Sequence, residues 1–107
     1  MKIDVLYFAG CPNHTPTVQR VSEVVRRLGI DARVNEIEVK QGDDPKALRF
    51  AGSPTVLVNG RDIDPGAPSD ASYGFGCRMF SGAGVPPVEM IERALREVLR
   101  SEGSKSR

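Results

Sequence analysis

From Ile3 to Phe8 the chain is apolar at every position except Asp4, and the run stops at Ala9-Gly10. β-Branched and aromatic residues in so short a run predict a strand, and apolar side chains on both of its faces predict a central one. The pattern then changes period. Val18, Val21, Val25 and Leu28 follow helical spacing, with Gln19, Arg20, Glu23, Arg26 and Arg27 on the other faces and Gly29 as the stop, which predicts an amphipathic helix of about three turns. Ala32 to Val39 mixes Val34, Ile37 and Val39 with Asn35, Glu36 and Glu38 and reads as an edge strand with a bulge where the alternation changes phase.

Gln41-Gly42-Asp43-Asp44-Pro45 predicts a turn into a short helix, with Asp44 as N-cap, Pro45 in the first helical position and an end near Gly52. Pro54 to Val58, then Asn59-Gly60, then Arg61 to Asp64 predicts a hairpin, because Asn-Gly supplies the positive φ angles of a two-residue turn. Residues 65–84 carry Tyr73, Phe75, Cys77 and Phe80 among several Gly and Pro, a loop long enough for a binding or lid role, with the aromatic residues as its anchors. After Pro86-Pro87, the residues Val88, Ile91, Leu95 and Val98 form the apolar stripe of a last helix, with Glu89–Arg93 and Glu92–Arg96 paired on its wet side. Ser101 to Arg107 is expected to fray.

The order strand, helix, strand, short helix, hairpin, helix, with a right-handed crossover between the first two strands, predicts an α/β fold: a four-stranded mixed sheet flanked by helices, with a Gly-rich insertion before the last helix. The chain has 107 residues and shows neither an internal repeat nor a linker, so residues 1–100 are read as one domain with an inserted loop at 65–84. Fifteen Lys and Arg against 14 Asp and Glu leave a net charge of +1, which disfavours general nucleic-acid binding and adhesion to anionic membranes. No apolar run approaches a membrane span, and the run after Met1-Lys2 is too short for a signal-peptide core, so a cytoplasmic location is expected. Two cysteines are too few for a disulfide scaffold or a four-cysteine zinc site, which turns attention to thiol chemistry. No cofactor is implied.

Tyr7-Phe8-Ala9-Gly10-Cys11-Pro12-Asn13-His14 between the first strand and first helix, and Ser53-Pro54-Thr55-Val56 opening the third strand, resemble the thioredoxin superfamily over roughly residues 2–64 and 86–100. With Phe50-Ala51-Gly52 and Cys77-Arg78 added, the chain resembles a group of small bacterial thioredoxin-like proteins, some carrying selenocysteine at the position of Cys11 and some labelled alkylmercury lyase. The resemblance implies a thioredoxin-like fold and a cis bond before Pro54. Such a bond would turn the Ser53 backbone toward Cys11 and offer a strand edge to an extended thiol substrate.

Cys11 is the candidate nucleophile, because a thiol at a helix start faces free N–H groups and the positive end of the helix dipole, which favour thiolate. The alternative is a buried free cysteine acting as a small hydrophobe. Pro16 leaves the helix start open: the helix begins either at Pro12, at the loss of one bond, or with Thr15 as N-cap and Pro16 first, one loop beyond Cys11. His14 stands where a C-x-x-C motif would place its second cysteine, so no disulfide closes within this loop. The imidazole either supports the Cys11 thiolate, shares a soft ion, or is a surface loop residue.

In the sheet so inferred, the fourth strand ends at the edge that carries Cys11, and a loop of about twelve residues at about 3.3 Å each brings Cys77 within reach. Cys77 is therefore either a resolving thiol or second metal ligand, with Arg78 stabilising thiolates, or a packing residue of the loop. Three functions are expected candidates: a thiol redox protein acting on a thiol, disulfide or peroxide or on a redox partner protein through Cys11 and Cys77, with Pro12, Asn13, His14, Ser53, Pro54 and Arg78 lining the site; a binder of a soft ion such as Hg(II) held by Cys11 and Cys77; or a catalytically silent domain whose 65–84 loop binds a partner protein.

Overall fold

The computed structural model describes residues 1–64, 74, 76, 78–80 and 83–105. Among these residues seven elements follow one another: β1 (Lys2–Tyr7), α1 (His14–Leu28), β2 (Arg33–Glu38), α2 (Pro45–Leu48), β3 (Thr55–Val58), β4 (Arg61–Asp62) and α3 (Val88–Lys105). The four strands form a mixed sheet in the order β2-β1-β3-β4. β1 pairs in parallel with β2, from Lys2 opposite Arg33 to Tyr7 opposite Glu38, and antiparallel with β3, from Ile3 opposite Val58 to Leu6 opposite Thr55. β1 is thus central and β2 an edge, as the apolar and mixed patterns predict, but the register is unbroken from Arg33 to Glu38, without the bulge expected where the alternation changes phase.

The pleat sends β1 side chains to opposite faces, and each face has its own core. Ile3 and Val5 join Val56 and Val58 of β3 in a cluster covered by Val21 and Val24 of α1 and Ile91 and Leu95 of α3. Leu6 faces the other way and packs with Leu57, Val39 and Phe50. α2 buries none of its four residues, so this second face is closed by Phe50, just beyond that helix, and by Val39.

Local chemistry accounts for most element ends. Asp44 caps α2 by accepting a hydrogen bond from the Lys46 N–H at 3.0 Å, with Pro45 in the first turn. The helix stops at Arg49, in the left-handed region at φ 59°, short of the Gly52 end predicted from the sequence. Asn59 (φ 51°) and Gly60 (φ 84°) form the hairpin turn with both central residues at positive φ, as Asn-Gly predicts. Gly29 ends α1 at φ 67°, which lets the Ile30 N–H return to the Val25 carbonyl at 3.1 Å.

The start of α1 matches neither sequence alternative. Asn13 is the N-cap and His14 the first helical residue, so Pro16 sits third. The first helical hydrogen bond runs from the Thr17 N–H to the Asn13 carbonyl at 3.2 Å. A proline in the third position therefore loses no bond, because that N–H would have no partner within the helix in any case. The buried stripe is also rotated: Thr17, Val21 and Val24 are fully covered, while Val18, Val25 and Leu28 are half-buried at its margin. α3 continues past Arg100 to Lys105, through part of the segment expected to fray. Glu92 pairs with Arg27 of α1 across the helix–helix contact, whereas the sequence reading paired it with Arg96 along its own helix.

Candidate functional site around Cys11 and Ser53

β1 ends at Tyr7, and the chain reverses through Ala9 and Gly10, the latter at φ 87°, where glycine carries no steric penalty. The Cys11 N–H donates to the Phe8 carbonyl at 3.2 Å, and the Cys11 carbonyl accepts from the His14 N–H at 3.4 Å. Cys11 is therefore held by its backbone two residues before the N-cap of α1. It is half-buried and unbridged, and no group among the described residues hydrogen-bonds its thiol. Pro12 beside it is exposed. The Asn13 side chain makes no capping bond; its amide lies where a Cβ on Gly84 would stand, so the chain entering α3 packs directly against the start of α1.

His14 is engaged elsewhere. Its ring stacks on Tyr7 with centroids 3.5 Å apart and planes 6° apart, and its Nε2 lies 2.7 Å from Glu36 Oε1. The imidazole thus pegs the first turn of α1 to β1 and β2. Neither contact involves the Cys11 thiol, the partner that the sequence reading offered it.

Ser53 is fully buried, Pro54 is buried, and the bond between them is cis, as the resemblance implies. Ser53 Oγ accepts the Phe8 N–H at 3.3 Å, so the Cys11 turn and the Ser53 turn are joined through one residue. Thr55 Oγ1 braces the same turn by donating to the Gly52 carbonyl at 2.6 Å and accepting from the Ala51 N–H at 3.1 Å.

The sequence reading leaves the Ser53 backbone open to an extended substrate. In the structure that edge is already paired with the chain itself: the Ser53 N–H donates to the Gly76 carbonyl at 2.8 Å, and the Arg78 N–H donates to the Ser53 carbonyl at 3.0 Å. Gly74 adds a third bond, its N–H donating to the Phe50 carbonyl at 3.0 Å. Cys77, Phe75 and Tyr73 lie outside the described residues. The two neighbours of Cys77 in the chain are nonetheless both bonded to Ser53.

Arg78 is 5% exposed, and its guanidinium is engaged by carboxylates and a ring. Its two terminal nitrogens each lie 3.0 Å from an Asp62 oxygen, Nη2 lies 3.7 Å from Asp64, and the guanidinium carbon stands 4.7 Å from the centre of the Phe80 ring. Sequence reasoning placed Asp62 and Asp64 in the hairpin and gave them no further role. The available signal was their spacing: two carboxylates two apart in an extended segment share a face.

Gly52 is where the two segments touch. It has φ +111°, and a Cβ there would stand 2.9 Å from the Gly76 carbonyl oxygen and 3.2 Å from the Arg78 nitrogen. Both are backbone atoms engaged at Ser53, so neither can step aside while the pairing persists. Gly52→Ala is expected to destabilise the fold by about 1–3 kcal/mol and to speed exchange of the Ser53 amide proton. Denaturant midpoints and hydrogen exchange check this; an unshifted midpoint with a protected Ser53 amide would refute it.

Among the described residues, no three His, Cys, Asp or Glu side chains cluster as a metal site, and no helix is long and apolar enough to cross a membrane. No family model, curated protein or solved structure matches the chain.

Proposed function

We propose that the chain is a thioredoxin-like thiol redox protein in which Cys11 is the nucleophile and Cys77 the resolving thiol. The observation that carries this reading is the pairing of Ser53, on both its N–H and its carbonyl, with the residues on either side of Cys77. A half-buried, unbridged Cys11 in the turn after the first strand, joined to Ser53 through Phe8, supports the same reading. The segment bearing Cys77 thus takes the strand position that an external thiol substrate would otherwise occupy.

The chemistry balances in two steps. The Cys11 thiolate attacks one sulfur of a disulfide, forming a mixed disulfide and releasing one thiolate; Cys77, once deprotonated, attacks the Cys11 sulfur and releases the second. Two protein thiols lose two electrons and the substrate disulfide gains them. With a hydroperoxide, Cys11 becomes a sulfenic acid as the O–O bond breaks and an alcohol leaves; condensation with Cys77 then releases water. An external dithiol restores the reduced protein in either case.

Non-reducing peptide mapping after one equivalent of disulfide, at low protein concentration, tests the proposal. Wild type is expected to lose both thiols to one intramolecular Cys11–Cys77 bridge. Cys77→Ser should stop at the mixed disulfide on Cys11, and Cys11→Ser should leave the disulfide unconsumed. Intermolecular Cys11–Cys11 dimers as the sole product would remove Cys77 from the mechanism. Stoichiometric retention of Hg(II) with no thiol oxidised by disulfide or peroxide would replace redox turnover by soft-ion binding.

A further inference from the structure

We infer that the Arg78–Asp62 pair is a latch that makes Cys11 selective for compact disulfides over extended peptide disulfides. The inference rests on the thiol reading above and adds the substrate class. A strand that docks beside Ser53 needs that residue's single N–H, and this N–H is already donated to Gly76 at 2.8 Å. Docking therefore requires the 76–78 segment to leave.

Two features oppose its departure. Gly52 has no Cβ, and the Gly76 carbonyl fits into the space that a side chain would fill. Arg78 is bound through its backbone to Ser53 and through both terminal nitrogens to Asp62, with Asp64 and the Phe80 ring completing its surroundings. Lifting the segment would also separate an ion pair whose side chains are 6% and 12% exposed, leaving Asp62 without this partner in a poorly solvated position.

Cys11 is not under this restraint. It is half-buried, and its thiol has no hydrogen-bond partner among the described residues. A small disulfide needs to meet only that sulfur. It forms one S–S bond to Cys11 and releases one thiolate without breaking the Ser53 pairing.

The test compares two probes on the full-length chain under reducing-agent-free conditions: hydroxyethyl disulfide, and an extended peptide whose central cysteine carries the same mercaptoethanol group in mixed disulfide. Wild type is expected to react with the peptide roughly tenfold more slowly, the factor associated with losing one to two backbone hydrogen bonds. In Asp62→Asn the peptide rate should rise toward that of the small disulfide, whose own rate stays unchanged. Hydrogen exchange supplies a readout independent of thiol chemistry: the Ser53 and Arg78 amides are expected to be protected in wild type and to exchange faster in Asp62→Asn. Equal rates for the two probes in wild type, or fast exchange of both amides in wild type, overturn the latch and leave Cys11 chemistry standing. Absence of reaction with either probe while both amides stay protected overturns the thiol reading, and the selectivity with it.

Discussion

Methionine in place of Arg78 is expected to lower stability by about 3–5 kcal/mol, the range found when one member of a buried ion pair is removed. The reason is the residue left behind. Asp62 would keep a carboxylate that is 12% exposed without the two 3.0 Å hydrogen bonds that offset its desolvation, and its remaining surroundings would have to neutralise it or admit water. Asp62→Leu should cost less, because the guanidinium keeps Asp64 at 3.7 Å and the Phe80 ring as partners. The double variant, Arg78→Met with Asp62→Leu, should lie much closer to wild type than the sum of the singles, because no buried charge is then left unpaired. Denaturant midpoints at constant m give all three values. Single losses below about 1 kcal/mol would mean that the pair behaves as an exposed one and restrains nothing.

Removing the ring of Phe80 is expected to have an effect of the same size. Phe80 is fully buried in the cluster shared by β1, β3, α1 and α3, and its backbone pairs with that of Ala83 through bonds of 2.6 and 3.1 Å. Phe80→Ala leaves a cavity between the sheet and two helices, for which about 3–5 kcal/mol is typical, and it also withdraws the aromatic face from Arg78. Phe80→Leu should cost less than about 1.5 kcal/mol, since volume is largely conserved. Thermal or denaturant unfolding of the two variants separates the outcomes. A loss under about 1 kcal/mol for Phe80→Ala would mean that residues 78–80 are appended to the domain, with no share in its core. Because Phe80 and Arg78 touch, their combined loss should fall short of the sum.

These two residues belong to the stretch that the sequence sets outside the core as an insertion. Its composition supports that reading, since five Gly and two Pro fall among its twenty residues and no period connects its aromatic residues. Burial depends on what the stretch meets elsewhere in the fold, and no spacing within it encodes that. Phe80 enters the core because the chain returns from the Ser53 edge toward α3, and Arg78 finds Asp62 because the hairpin brings β4 beside that return.

What the sequence determines by itself about this protein is local. Asn59-Gly60 requires a hairpin turn through positive φ, Gly29 stops α1, and Asp44-Pro45 starts α2, because each acts on backbone dihedrals or orphan N–H groups within a few residues. The two-faced apolar run of β1 likewise implies a central strand, and the place of Cys11 between that strand and the first helix is legible for the same reason. Tertiary structure decided the rest. Several positions for Pro16 satisfy local rules, and the packing of Thr17, Val21 and Val24 against the sheet selects the one in which the missing N–H goes unused. His14 could serve Cys11 by sequence proximity alone; Tyr7 and Glu36, brought to it by the β1–β2 register, claim the ring instead. The Ser53 edge reads as open until Gly76 and Arg78 are seen to close it. Each of these outcomes is a competition for one donor, one ring or one buried volume among residues far apart in the chain, and only the fold determines which competitor arrives.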